Sequence, residues 1–240
     1  MLYNVTTMAS TWHTIATADT RLLKHQMDIV TRLPKDYVFL NYLRCHDDIG
    51  WGLDYEWLKQ FGIAEAPHKK YLNDYFRGYV EGSDARGELY NDDPVLQDAR
   101  LCGTTASLCG LEAAGFEQNE EKTAQAIQRI EMLNAYLFIQ SGIPVIYSGD
   151  EIGQVNDYSY KESEDYDRRS DSRYIHRGHF RWDLEPEKDK KRNDTESDFC
   201  FDEEDGRAQI QISSVRWGGG CLDRGNVRYR TSLRLQKIRQ

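Results

Sequence analysis

Apolar positions along this chain recur at two different periods. Over 11–32, Leu22, Leu23, Met27 and Val30 fall at helical spacing, with Pro34 just past the end, which predicts a single helix. Residues 37–43 (Tyr-Val-Phe-Leu-Asn-Tyr-Leu) form a short apolar run rich in β-formers. A run without strict alternation suits a parallel strand buried on both faces. It ends abruptly in Arg44-Cys45-His46-Asp47-Asp48. Residues 52–100 are mixed and polar, punctuated by Gly78, Gly82, Gly87 and Pro94, with short helical patches over 55–61 and 68–79. This stretch is too long for a simple strand-to-helix loop and predicts an insertion. Helices are predicted over 104–114 and 119–141. The second opens on Glu120 and Glu121, carries Ile127, Ile130, Leu133 and Leu137 on one stripe, and meets Gly142 as its stop. Residues 143–147 (Ile-Pro-Val-Ile-Tyr) predict a second buried strand ending in Gly149-Asp150-Glu151, with a long polar loop over 154–181.

Both predicted strands end in carboxylates. In α/β barrels the active site lies at the C-terminal ends of the strands, so His46-Asp47-Asp48 and Asp150-Glu151 become candidates by position. Adjacent carboxylates are costly to bury without partners. In a barrel mouth they can hold sugar hydroxyls through charge-assisted hydrogen bonds and favour the positive charge that grows on an anomeric carbon. A plain strand-end turn is the other reading of His46-Asp47-Asp48. For Asp150-Glu151, bracing or capping of the strand end is the favoured one.

Composition narrows the classes. With 240 residues, 39% hydrophobic and 30% charged, the chain can form one cored domain, or one domain with an insertion. Aromatics reach 12%, with fifteen Tyr and five Trp. Their flat apolar faces and polar edges suit sugars as well as an ordinary core and surface. A net charge of -9 argues against nucleic acid as partner. The five cysteines, Cys45, Cys102, Cys109, Cys200 and Cys221, lack metal-ligand spacing, and neither metal nor cofactor is expected. With no secretory signal and no long apolar run, the expectation is a cytoplasmic protein with reduced thiols and no membrane span. The segment 207–240 differs: it holds eight Lys/Arg against one acid, Asp223, whereas 1–206 hold 23 basic and 39 acidic residues. A basic binding arm and an out-of-frame or truncated end are the two readings of this tail.

Several ordered motifs carry a family resemblance. Phe39-Leu40-Asn41-Tyr42-Leu43-Arg44-Cys45-His46-Asp47-Asp48-Ile49-Gly50-Trp51 resembles the seventh-strand region of the α-amylase family (glycoside hydrolase family 13). Its Asp-Asp-Ile-Gly-Trp extension is similar to the amylosucrase and sucrose hydrolase group. The run 142–153 resembles the eighth strand, 171–177 the loop after it, and 98–104 the end of the amylosucrase insertion. The likeness covers about 1–206.

The resemblance implies an α/β fold: a partial TIM (β/α)8 barrel, about strands 6 to 8, with a helical insertion after the seventh strand. The corresponding division is 1–51 barrel, 52–100 inserted subdomain, 101–206 barrel, and 207–240 atypical tail. Roles follow position by position. Asp47 matches the transition-state-stabilising acid and His46 the histidine on the glucosyl hydroxyls. Asp48 and Arg100 match the neighbouring acceptor side. Arg173 matches an arginine that pairs with an acid to close the pocket. Lys69 stands where amylosucrase has an arginine associated with oligosaccharides, keeping the charge and losing the planar fork.

The implied activity is glucosyl transfer from sucrose to α-glucan. Sucrose hydrolysis, other α-glucosidase or α-amylase-type hydrolysis, or a non-catalytic sugar-binding half-barrel are the alternatives. The family draws its nucleophile and proton donor from strands four and five, and the likeness begins near strand six, at Tyr3-Asn4-Val5-Thr6-Thr7-Met8. On this reading the chain alone is expected to be inactive. It would expose open sheet edges and need a complementary N-terminal half as partner.

Overall fold

The computed structural model describes residues 1–182 except 94, 96 and 97, together with the backbone of 198–202 and 207–211. In chain order the elements are β1 (Leu2–Tyr3), α1 (Val5–Thr17), α2 (Arg21–Thr31), β2 (Phe39–Tyr42), α3 (Tyr55–Leu58) and α4 (Glu65–Phe76). There follow β3 (Glu88–Tyr90), β4 (Arg100–Cys102), α5 (Thr105–Leu108), α6 (Leu111–Glu117), α7 (Glu120–Ile139), β5 (Ile143–Val145) and α8 (Tyr166–Ser170). The strands β6 (Asp198–Asp202) and β7 (Arg207–Gln211) come last. Residues 1–184 form one compact unit and 185–240 a second. In the second, β6 pairs antiparallel with β7, Asp198 opposite Gln211. The rest of the tail, 212–240, on which the two readings of the basic end bear, lies outside the described residues.

The first unit is α/β. Its principal sheet is parallel, in the order β1-β2-β5, with Leu2 beside Phe39 and Leu40 beside Ile143. Two asparagines tie the three strands together. Asn4 Nδ2 donates to Asn41 Oδ1 at 2.8 Å, and Asn41 Nδ2 donates to the Ser141 carbonyl at 3.0 Å. At Gly142, φ is 130° and an added Cβ would fall on the Phe39 carbonyl oxygen. The glycine therefore serves close approach of β5 to β2, rather than only stopping α7.

Three expected elements differ in detail. The single helix over 11–32 is two helices, and it begins at Val5. Ala18 adopts φ 52°, its N–H returning to the Thr14 carbonyl at 2.9 Å, and Asp19 Oδ1 then accepts from the Arg21 N–H to start α2. A left-handed residue ends one helix, and an Asp side chain that accepts from the N–H two residues on turns the chain into the next. Of the expected α2 stripe only Leu22 is buried, and Met27 is 39% exposed. The helix over 104–114 likewise breaks at Gly110, φ 95°. The strand over 143–147 is shorter and is not buried on both faces: Ile143 and Val145 are 43% and 39% exposed. It has β2 on one side and no strand on the other among the described residues.

The segment 52–100 shares one apolar core with α1 and α7. Trp12, fully buried, sets its ring edge on Phe76 at 5.4 Å, and Trp51 stacks on the same ring at 6.0 Å. Both indoles also find acceptors: Trp12 Nε1 donates to the Leu43 carbonyl and Trp51 Nε1 to Asn73 Oδ1, each at 2.7 Å. Burying three large aromatics with both indole donors satisfied pins α4 against α1 and against the chain leaving β2. No helix among the described residues is long and apolar enough to cross a membrane.

At the C-terminal ends of β2 and β5 lies a buried ion pair. Arg44 Nε and Nη2 each reach Asp150 Oδ1 at 2.9 Å, with side chains 2% and 7% exposed. Thr105 Oγ1 donates to Asp150 Oδ2 at 3.0 Å, and the guanidinium lies 4.5 Å over the Tyr147 ring. Asp150 thus braces the strand end.

Arg44→Met strands a buried carboxylate and is expected to lower stability by about 3–5 kcal/mol, whereas Arg44→Met with Asp150→Leu restores most of it. Urea denaturation midpoints of the two variants test this, and equal loss in both would refute it. Acid should also weaken the fold. His13 is held down to about 4 by burial first and by neighbouring His68 second, with Asp19 opposing, and burial lowers His68 as well. The rings lie 5.1 Å apart, and neither His13 nitrogen has a protein partner. The unfolded chain binds these protons nearer the ordinary value of 6.5. Stability is therefore whole above that value and is lost as pH falls towards about 4. The thermal midpoint followed across that window should fall less steeply in His13→Leu; an unchanged slope would remove His13 from the account.

Candidate functional site

The chain leaving β2 turns at once. Alternating strand geometry would send successive side chains to opposite faces, but bends at His46 and Asp47 break the alternation. Ile49 then locks to Leu101 of β4 in an antiparallel bridge, with hydrogen bonds of 2.7 and 3.0 Å. That bridge sets Asp48 beside Arg100, whose Nη1 donates to Asp48 Oδ2 at 3.3 Å. The Asp48 side chain is 7% exposed and that of Arg100 46%.

The third wall comes from the 3-10 turn Ser172–His176. Asp171 caps it, accepting from the Arg173 N–H at 3.0 Å, and also grips the Arg173 side chain in a fork: Nε to Oδ1 at 2.9 Å and Nη2 to Oδ2 at 2.8 Å. This bidentate pair holds the Asp171 carboxyl below the usual carboxylate range and raises Arg173 correspondingly. The guanidinium also covers the Tyr90 ring at 4.4 Å. Its free edge faces Asp47, with Nη1 3.4 Å from Oδ1, and Arg177 Nη2 approaches the same oxygen at 3.4 Å.

These residues enclose a cleft of about 420 Å³, within the range of small-molecule sites. Asp47, Asp48, Arg100 and Arg173 line it with the aromatics Tyr42 and Tyr90, while Val5 and Met8, just past β1, supply an apolar patch. It opens at the C-terminal ends of β1 and β2. Burial pushes the Tyr42 phenol up to about 12, so it stays protonated. Burial also raises the Cys45 thiol, and the Asp47 and Asp48 carboxylates add to the effect.

Four of the six residues expected from the sequence therefore meet in one place. His46 stands at the rim, its side chain 68% exposed and Nε2 3.4 Å from Asp47 Oδ2. Lys69 does not line the cleft. It is held by Glu65 at 2.9 Å and Asp98 at 2.7 Å, tying α4 to the segment that enters β4.

Two supports carried no role in the sequence reading. His176 is buried and accepts at Nδ1 from the Gly103 N–H at 3.1 Å, while Nε2 lies 3.2 Å from the His46 carbonyl. These contacts assign the ring proton to Nε2. Burial, then the Arg44 guanidinium, lower His176 to about 4, so it stays neutral. Arg177 Nε donates to the same carbonyl at 2.6 Å. Both partners of His176 lie far off along the chain, 73 and 130 residues away, and no local pattern announces them.

No protein-family model matches the sequence. Among solved structures, the chain is similar to the crystal structure of sucrose 6F-phosphate phosphorylase from Thermoanaerobacter thermosaccharolyticum, at 18% identity and a TM-score of 0.49. The match covers 78% of this chain and 32% of that one, so this chain spans about a third of that structure's length. The overlap carries no weight for the chemistry, which rests on the residues of the cleft.

Proposed function

We propose that this chain forms part of the sugar-binding mouth of an α-retaining glucoside-cleaving barrel of the α-amylase family, of amylosucrase type, acting in glucosyl transfer from sucrose to α-glucan. In this reading β1, β2 and β5 are an arc of the (β/α)8 barrel. Asp47 stabilises the positive charge at the anomeric carbon, His46 donates to a glucosyl hydroxyl, Asp48 and Arg100 hold the sugar on the neighbouring acceptor side, and Arg173, paired with Asp171 and facing Asp47, closes the bottom of the pocket. The observation that carries it is convergence: Asp47 and Arg173, 126 residues apart, meet across one cleft with Asp48 and Arg100, beyond the carboxyl ends of parallel strands.

The division of labour follows from the hydrogen bonds. Asp48 and Asp171 are committed to Arg100 and Arg173, whereas Asp47 is half exposed and has only 3.4 Å contacts with the guanidiniums. It is the carboxylate best able to exchange partners for a ligand. Retaining cleavage needs a nucleophile and a proton donor about 5 Å apart. Among the described residues lining the cleft the carboxylates are Asp47 and Asp48, neighbours on one wall. The proposed share of this chain is therefore binding and charge stabilisation, with the bond-breaking pair supplied by another part of the barrel.

Hydrolysis by water is the second reading, and Lys69 favours it. The position expected to reach an oligosaccharide instead spends its charge on Glu65 and Asp98. On that reading sucrose binds and maltooligosaccharides do not compete with it.

Calorimetric titration of the chain with sucrose should give millimolar binding, and the chain alone should release no fructose. Asp48→Ala removes one charge-assisted contact and should weaken binding about ten- to hundredfold. Arg173→Lys, which loses the fork on Asp171, should also weaken it. Absence of any sugar-dependent heat with a folded wild-type chain would sink the reading.

A further inference from the structure

The loop after β2 brings three different donor types together. Cys45 Sγ, a ring nitrogen of His46 and a carboxylate oxygen of Asp47 all lie within 4.8 Å of one another. We infer that Cys45, His46 and Asp47 form a binding site for a thiophilic divalent cation of the zinc class, with the fourth coordination position open to the cleft.

Three consecutive residues in a strand could not converge in this way, because Cys45 and His46 would point to opposite faces. Here the bends at His46 and Asp47 fold the side chains back, and long-range contacts hold the turn. The Asp47 N–H lies 3.5 Å from Cys45 Sγ. The His46 carbonyl accepts from Arg177 Nε at 2.6 Å and from His176. Asp47 Oδ1 faces the two guanidiniums, leaving Oδ2 towards His46 Nε2 at 3.4 Å. The backbone is therefore set before any ion arrives, so little chain ordering is needed on binding. The donor set is mixed sulfur, nitrogen and oxygen. Such a set suits zinc and its spectroscopic substitutes and is a poor match for magnesium or calcium, which require oxygen.

Charge does not forbid the ion. Arg44 is matched by Asp150, Arg100 by Asp48 and Arg173 by Asp171, leaving Arg177 opposite Asp47. On binding, the Cys45 S–H bond breaks, its proton passes to solvent, and a sulfur–metal bond forms. His46 gives the Nε2 lone pair and Asp47 gives Oδ2. The thiolate and the Oδ2 edge of Asp47 face the dication, while Asp47 Oδ1 stays towards Arg173 and Arg177. The ion site does not depend on the sugar reading. Where that reading holds, an ion here occupies Asp47 and competes with sugar.

The test uses the full chain, reduced and stripped with a chelator, titrated with cadmium. A thiolate-to-cadmium charge-transfer band should grow to saturation at a single equivalent and be displaced as zinc is added. Cys45→Ser should abolish the band. His46→Gln, at an exposed position, should leave the fold intact and weaken binding about tenfold or more. Cys200→Ser with Cys221→Ser should keep the band. A wild-type chain without the band, a band undiminished in Cys45→Ser, or unchanged affinity in His46→Gln would each overturn the proposal. Sucrose binding by the metal-free chain is measured separately, so failure of the ion site and failure of the sugar reading remain distinguishable.

Discussion

Arg44 and Asp150 meet where neither can be solvated, and each is left with the other as its main compensation. Exclusion from water makes such a pair costly to form and costlier to break. The consequence is geometric: it fixes the end of β2 against the chain leaving β5. Cys45, His46, Asp47 and Asp48 follow Arg44 directly. The turn that begins at Asp150 leads into the loop that carries Asp171, Arg173 and Arg177. Both arms of the cleft therefore take their position from one buried contact. The Thr105 hydroxyl and the Tyr147 ring complete its surroundings.

Around that anchor the charges are graded. Asp171 binds Arg173 through short, forked bonds, and Asp48 is nearly buried against Arg100. Asp47 has no contact nearer than 3.4 Å to either guanidinium and is 51% exposed. Strongly paired groups act as fixed scaffolding, while a loosely paired carboxylate retains capacity for another partner. The same gradation supports the proposed assignment of Asp47 to a ligand's developing charge and its proposed part in a metal site.

Much of the site was legible because its residues cluster in a few short motifs. Asp47, Asp48 and His46 follow a strand that the β-former run announces, and Arg173 sits in a motif with its own cap, Asp171. Bracing by Asp150 was also legible, as an acid at a strand end. What was not legible depends on contacts across the chain. The break at Ala18 needs a left-handed alanine, which no local propensity favours. The exposure of Ile143 and Val145 depends on β5 having one neighbour rather than two. Lys69 carries the expected charge, but Glu65 one helical turn away and Asp98 draw it off the cleft. The side-chain hydrogen bonds of His176 reach Gly103 and His46, 73 and 130 residues away.

His176 shows why a rim crowded with guanidiniums stays in register. Its ring accepts from Gly103 and donates to the His46 carbonyl, a bridge that exists only in the neutral form. Protonation would turn the Nδ1 acceptor into a donor facing the Gly103 N–H, and two donors cannot share that contact. Burial and the nearby positive charge of Arg44 both oppose protonation. The neighbours that could disturb the bridge therefore keep it in its working state. A lysine or arginine in this place would add a further cation beside Arg44 and Arg177, while a serine would reach only one of the two partners. A neutral imidazole spans both without adding charge. The position of the His46–Asp48 loop thus rests on a dipolar bridge and a buried ion pair, and the exposed Asp47 is left to respond to whatever enters the cleft.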